Sequence, residues 1–167
     1  MAILDSGERK VFDTGAVRDM KEGKGRCDLM PLDVVGQLLN SKIIDLLYMF
    51  QQDQSNIDIL YNILEIFADY EYRPQGPSTS ITRKANMLLE VSKHFEEGAK
   101  KYEENNWKRG IEIKSYIDSA CRHYLKVLRG DKDESHERAF VWNIMCLIWT
   151  VNHIEGNKDE QETKINR

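Results

Sequence analysis

The chain has 167 residues with 24 Lys and Arg against 28 Asp and Glu, for a net charge of −4, and both signs are interspersed along its length. That length suits one domain able to bury roughly two-thirds of its unfolded surface, and the mixed balance lacks the basic stripe that duplex phosphates demand. Cys27, Cys121 and Cys146 are odd in number and form no CxxC pair, which argues against a disulfide framework or a zinc knuckle and fits reduced thiols in a cytoplasm.

The first 30 residues read as an extended arm, because Gly15, Gly23 and Gly25 punctuate a charged stretch with no sustained period. The opening MAILDSGERKVF lacks the apolar core of a signal peptide. From Pro31 the pattern Leu32, Val35, Leu38, Leu39, Ile43, Leu46, Leu47, Phe50 predicts one helix over residues 31–50. A second, from Ser55 or Asn56 to about residue 70, repeats it through Ile57, Leu60, Ile63, Leu64 and Phe67. Pro74, Gly76 and Pro77 then mark an exposed connection.

Residues 82–103 place Leu88, Val91, Phe95, Ala99 and Tyr102 on one helical face, and residues 115–129 do the same with Tyr116, Ile117, Ala120, Tyr124, Leu125 and Leu128 before Gly130 ends the helix. The last predicted helix, 134–153, is apolar around most of its circumference and is expected to be the most buried. Its apolar run, residues 139–151, is interrupted by Asn143 and is too short to span a bilayer, which needs about 20 apolar residues. The expectation is therefore an all-α helical bundle of about five helices in one domain, with an arm at 1–30, a helical domain at 31–155 and a charged, frayed tail from 156.

Phosphate-loop, dinucleotide-fingerprint, GxSxG and HExxH motifs are all absent. What remains is carboxylates on helices, which a bundle can aim at one metal ion. Glu90, His94 and Glu97 share a stripe with Lys101 one turn beyond, and Asp118 lies four residues before Arg122 with His123 beside it. Solvated i,i+4 pairing accounts for the same spacings. Glu134 and Glu137 form an ExxE pair behind Asp131 and Asp133. Glu137 is in line with Val141, Ile144 and Ile148 and is expected to point inward, where it needs a cation. Asn143 needs an internal hydrogen bond or a ligand. Asn105, Asn106 and Trp107 end the charged helix: the asparagines suit a left-handed stop, and the tryptophan is either a core plug or a stacking surface.

The stretches VFDTGAVRDMKEGKGRCDLMPLDVV, HFEEGAKKYEENNWKRGI, YIDSACRHYLKVLRGDKDESHERAFVWN and IWT resemble the phage-associated family of dATP/dGTP diphosphohydrolase N-terminal domains, grouped with the MazG-like all-α nucleotide pyrophosphohydrolases. The resemblance covers residues 11–35 and 90–150 and makes 36–85 a helical insertion. It implies metal-dependent hydrolysis of a purine deoxynucleoside triphosphate to the monophosphate and pyrophosphate, in the cytoplasm of a bacterial host and encoded by a phage or prophage. Mg²⁺ or Mn²⁺ would be held by Glu97, Asp118, Glu134 and Glu137, with Glu97, Glu137 and Lys101 catalytic. Lys100, Lys108, Arg109 and Arg122 would contact phosphates, Asn106 and Trp107 the base or sugar, and His123 and Asn143 complete the substrate-binding set. A homo-oligomer is implied as well. The family's paired pattern, ExxE followed by ExxD, is represented only by Glu134 and Glu137. Two other functions therefore stay open: a phage-type protein that sequesters a host defence signalling nucleotide without cleaving it, and an interaction module without a ligand.

Overall fold

A computed structural model describes residues 8–19, 23–72 and 79–155. Among them are six α-helices: α1 (Leu32–Leu39), α2 (Lys42–Gln52), α3 (Asp58–Ile66), α4 (Ser80–Tyr102), α5 (Ile113–Arg129) and α6 (His136–Thr150). The chain is all-α apart from one small hairpin, β1 (Arg9–Val11) and β2 (Val17–Asp19). No described helix is long and apolar enough to cross a membrane. The centre of the predicted Pro-Gly connection, residues 73–78, and the charged tail from 156 lie outside the described residues.

One local expectation is corrected. The helix expected over 31–50 is two helices, because Asn40 takes a left-handed conformation at φ 48° and Ser41 caps the next helix, its hydroxyl accepting from the Ile44 amide at 3.4 Å. Asn pays little for that geometry and Ser is a strong N-cap, so the apolar period runs through a break it cannot reveal. The arm contains a short hairpin. Its strands pair antiparallel with Val11 opposite Val17, and three residues per strand are too few for alternation to show in the sequence.

α6 is the central element, packed along α5 and also against α4 and α3. Phe140, Val141, Ile144, Cys146 and Leu147 are buried there with Tyr116, Ile117 and Ala120 of α5 and with Leu60, Ile63 and Phe67. Phe140 stacks obliquely on Phe67 and on Tyr124, with ring centroids 4.8 and 5.3 Å away. α4 buries only Met87 and Val91 fully, and Leu88, expected on its packed face, is 48% exposed. All three cysteines are free thiols.

Candidate functional site

The chain after α4 explains how a site forms. Glu103 and Asn105 adopt positive φ, which turns the backbone sharply out of the helix. That turn aims the Asn106 side chain at the hairpin. Its Nδ2 donates to the Val17 carbonyl at 2.8 Å, and its Oδ1 accepts from the Val17 amide at 2.7 Å. A side-chain amide thus completes β2 as a neighbouring strand would, and the buried polar group is fully satisfied. Thr14 Oγ1 adds a bond to the Gly110 carbonyl at 2.8 Å.

Once strapped, β2 directs two side chains over the helices. The Arg18 guanidinium lies 5.4 Å from the Tyr116 ring centre and 5.9 Å from that of Trp142. It donates to the Asn143 side-chain oxygen and, at 3.3 Å, to the Ser115 carbonyl. Asn143 Nδ2 donates to the Ala139 carbonyl at 2.7 Å, so the polar residue inside α6 is satisfied at both ends. Asp19 accepts from Lys101 Nζ at 2.8 Å and from the Tyr102 hydroxyl. Burial, and then that bond to Asp19, raise the Tyr102 phenol above its usual value.

Between the hairpin, the second half of α4, the turn at 106–109 and the facing sides of α5 and α6 lies a cavity of about 620 Å³. Phe95, Trp107, Ile111 and Trp142 give it apolar faces; Arg18, Lys24, Arg122 and Lys126 bring cations; Asp19, Glu96, Glu103, Glu104 and Glu134 bring carboxylates. Its volume falls within the range of about 300–1,000 Å³ typical of small-molecule pockets. Trp107 meets Phe95 and Trp149 edge-on at 5.5 and 5.1 Å, so it is anchored in an aromatic cluster while also lining the space. His94 also lines it. Burial, followed by Arg138 and Arg18, lowers its pKa to about 4.

On the α5–α6 wall, His123 Nδ1 is 3.1 Å from His136 Nδ1, and Glu134 Oε1 lies 3.5 and 3.4 Å from these two atoms. His136 Nε2 donates to Asp133 Oδ1 at 2.7 Å, and Lys126 Nζ donates to the other oxygen of Asp133 at 3.1 Å. His136 and Lys126 hold Asp133 well below the usual carboxylate range. Burial, with His136 and Arg122 adding to it, pushes His123 well below its usual value, so its ring is neutral at physiological pH.

A family model described as dATP/dGTP diphosphohydrolase, N-terminal, matches residues 75–161, more than half of the chain. The chain belongs to this family. No curated protein and no solved structure matches it. The matched dATP/dGTP diphosphohydrolase segment contains α4, α5 and α6, and thus the helical walls of the cavity. The hairpin and residues 11–35 precede it.

In this family member the residues singled out from sequence fall into four groups. Asn106, Trp107, Arg122, His123, Glu134 and Asn143 line the cavity. Glu97, Asp118 and Lys101 hold the architecture around it. Glu97 meets Arg138 Nη1 at 3.4 Å, and the fully buried Asp118 binds Arg122 and accepts from the Cys27 amide at 2.7 Å, pinning the arm's second half. Lys101 anchors the hairpin through Asp19. Lys100, Lys108 and Arg109 are exposed: Lys100 pairs with Glu96, Arg109 with Glu103, and Lys108 lies over the Trp107 ring at 5.2 Å. Glu137, expected to point inward, is half-buried and lines a second depression of about 250 Å³ with Glu90 and Glu134.

Arg18, Asp19 and Trp142 were not singled out from the sequence, and His94 and His136 were left without a role there. Arg18 reaches Asn143 across 125 positions of sequence, a contact with no local signature. His136 did carry a signal, since it is an imidazole at the start of an apolar helix, two and three positions after Glu134 and Asp133.

Proposed function

We propose that the protein is a diphosphohydrolase that takes a purine deoxynucleoside triphosphate into the 620 Å³ cavity and releases the monophosphate and pyrophosphate. One observation carries the reading: aromatic faces and charged side chains of both signs surround a single space of nucleotide size, whose helical walls lie in the segment that places the chain in its family. Trp107 and Trp142 offer flat surfaces for a base. Arg122 and Lys126, one turn apart on α5, offer charge for phosphates on the wall that carries His123 and Glu134. Water attacks the α-phosphorus, the bond to the bridging oxygen breaks, and pyrophosphate departs with that oxygen. The second carboxylate oxygen of Glu134 is the group on that wall able to take the proton of the attacking water.

A four-carboxylate magnesium centre does not fit these residues. Among the described residues, the groups of three or more donors able to share an ion exclude Glu97, Asp118 and Glu137. Glu97 and Asp118 each face an arginine instead. No step is assigned to such a centre.

The arginine-paired carboxylates also favour a second reading, a phage-encoded cytoplasmic protein that captures a signalling nucleotide of host defence without cleaving it. Incubation with dATP, dGTP and ribonucleotides, with and without Mg²⁺ or Mn²⁺, followed by chromatography of the products, separates the two. Monophosphate and pyrophosphate in equal amounts support hydrolysis. Intact nucleotide retained by the protein establishes capture, and intact nucleotide not retained contradicts both. Self-association belongs to the same proposal, because Ile81, Leu88 and Leu89 of α4 are 74%, 48% and 65% exposed on one helical face. Light scattering that returns only the monomer mass would remove it.

A further inference from the structure

We propose that His123, Glu134 and His136 form a binding site for one divalent first-row transition-metal ion, of the zinc and manganese class, at the edge of the cavity. Their donor atoms, two imidazole nitrogens and one carboxylate oxygen, stand 3.1, 3.4 and 3.5 Å from one another. Metal-to-ligand distances of about 2.0–2.2 Å require donors spaced by roughly 3–3.5 Å, which this triangle satisfies without rearrangement. The two nitrogens also share a hydrogen bond, His123 Nδ1 donating to His136 Nδ1, whose proton the ion would displace.

The support around the triangle is also that of a metal site. Asp133, itself held by Lys126, accepts the Nε2 proton of His136 at 2.7 Å. His136, fixed in this way through Nε2, turns Nδ1 toward the ion, the carboxylate–histidine–metal arrangement that orients ligands and strengthens them as donors. Asp131, which lies within reach of Asp133 and His136, is taken by Arg129, so it belongs to this outer support. Two nitrogens and one oxygen select borderline transition metals, whereas Mg²⁺ prefers oxygen donors and retained water. Three protein ligands leave at least one coordination position open, and both His123 and Glu134 face the cavity.

That the open position receives a phosphate oxygen or the attacking water rests on the hydrolase reading. Binding of the ion does not. The test uses the full chain stripped of metal with a chelator and then titrated with Co²⁺, followed by its visible d–d absorption and by competition with Zn²⁺. One equivalent per chain is expected, with affinity lowered at least tenfold in Glu134→Gln and in His123→Gln, and by about 10–100-fold in Asp133→Asn, where an orienting partner is lost. His136 is buried, so the half-buried His123 and Glu134 carry the test and circular dichroism checks that each variant folds. Absence of a Co²⁺ band, or a band unchanged in both variants, overturns the site. Stoichiometric binding without nucleotide turnover upholds the site and removes the hydrolase reading. Turnover with Mg²⁺ that persists in His123→Gln, with no Co²⁺ bound, does the reverse.

Discussion

Asn106 shows how much one side chain can organise. Its amide makes both hydrogen bonds to Val17, and through β2 it fixes Arg18 and Asp19. Asn106→Ala leaves two backbone groups of Val17 without partners and is expected to cost about 1–3 kcal/mol in urea unfolding. Faster hydrogen exchange at the Val17 amide would identify the hairpin as the part that loosens; unchanged exchange would contradict the strap. His94 makes a second residue-scale prediction. It packs on Trp142 at 5.5 Å and faces Arg138 of α6 and Arg18 of β2, so its protonation is resisted in the folded protein. With a folded pKa near 4, below the ordinary histidine value, the unfolded chain binds the extra proton first. Stability is therefore retained above about pH 6.5 and declines as pH falls toward 4, by on the order of 2–3 kcal/mol from this residue. Unfolding free energies at pH 7 and pH 5 should differ less in His94→Gln than in the parent protein. Of these residues the sequence marked Asn106, which breaks a helical pattern. It could not mark Arg18, whose partners lie about a hundred positions away.

The helices that form the walls were the most legible elements. α4, α5 and α6 begin and end within three residues of the positions expected from their apolar period, because each carries a helical apolar pattern over at least four turns. The shorter elements were not legible. α1 and α2 share an unbroken apolar period, and only the left-handed Asn40 followed by a capping serine divides them. Burial also went unread where a face exists but no neighbour covers it, as at Leu38, which is 83% exposed. Phe140 tests the assignment of α6 as the centre. It is fully buried between Phe67 and Tyr124, so Phe140→Ala is expected to lose about 3–5 kcal/mol, one of the larger costs in the chain. Leu38→Ala, by contrast, should change stability by less than about 0.5 kcal/mol. Equal losses at the two positions would contradict the described packing.

At the scale of the molecule, the cavity exists only where four segments meet: the hairpin, the second half of α4, the turn after it, and the α5–α6 pair. That is why composition and periodicity yielded the bundle but not the site. The family resemblance implied one cluster of carboxylates, whereas the fold sends Glu97 and Asp118 to arginines and collects Glu134 with two histidines. A nucleotide that fills this space should stabilise the whole protein, by roughly 2.7 kcal/mol at a hundredfold excess over its Kd. A thermal shift with dATP or dGTP that is absent with inorganic phosphate would show that the base is bound, and Trp107→Ala should reduce it. Equal shifts with phosphate alone would mean that only the cations are engaged.

The most direct measurement is to run the reaction with dGTP in heavy-oxygen water and to locate the label by phosphorus NMR. Attack at the α-phosphorus puts the heavy oxygen on dGMP and leaves pyrophosphate unlabelled, which is the result expected here. Label in pyrophosphate or free phosphate, or dGTP recovered without any label, would contradict a diphosphohydrolase in this cavity.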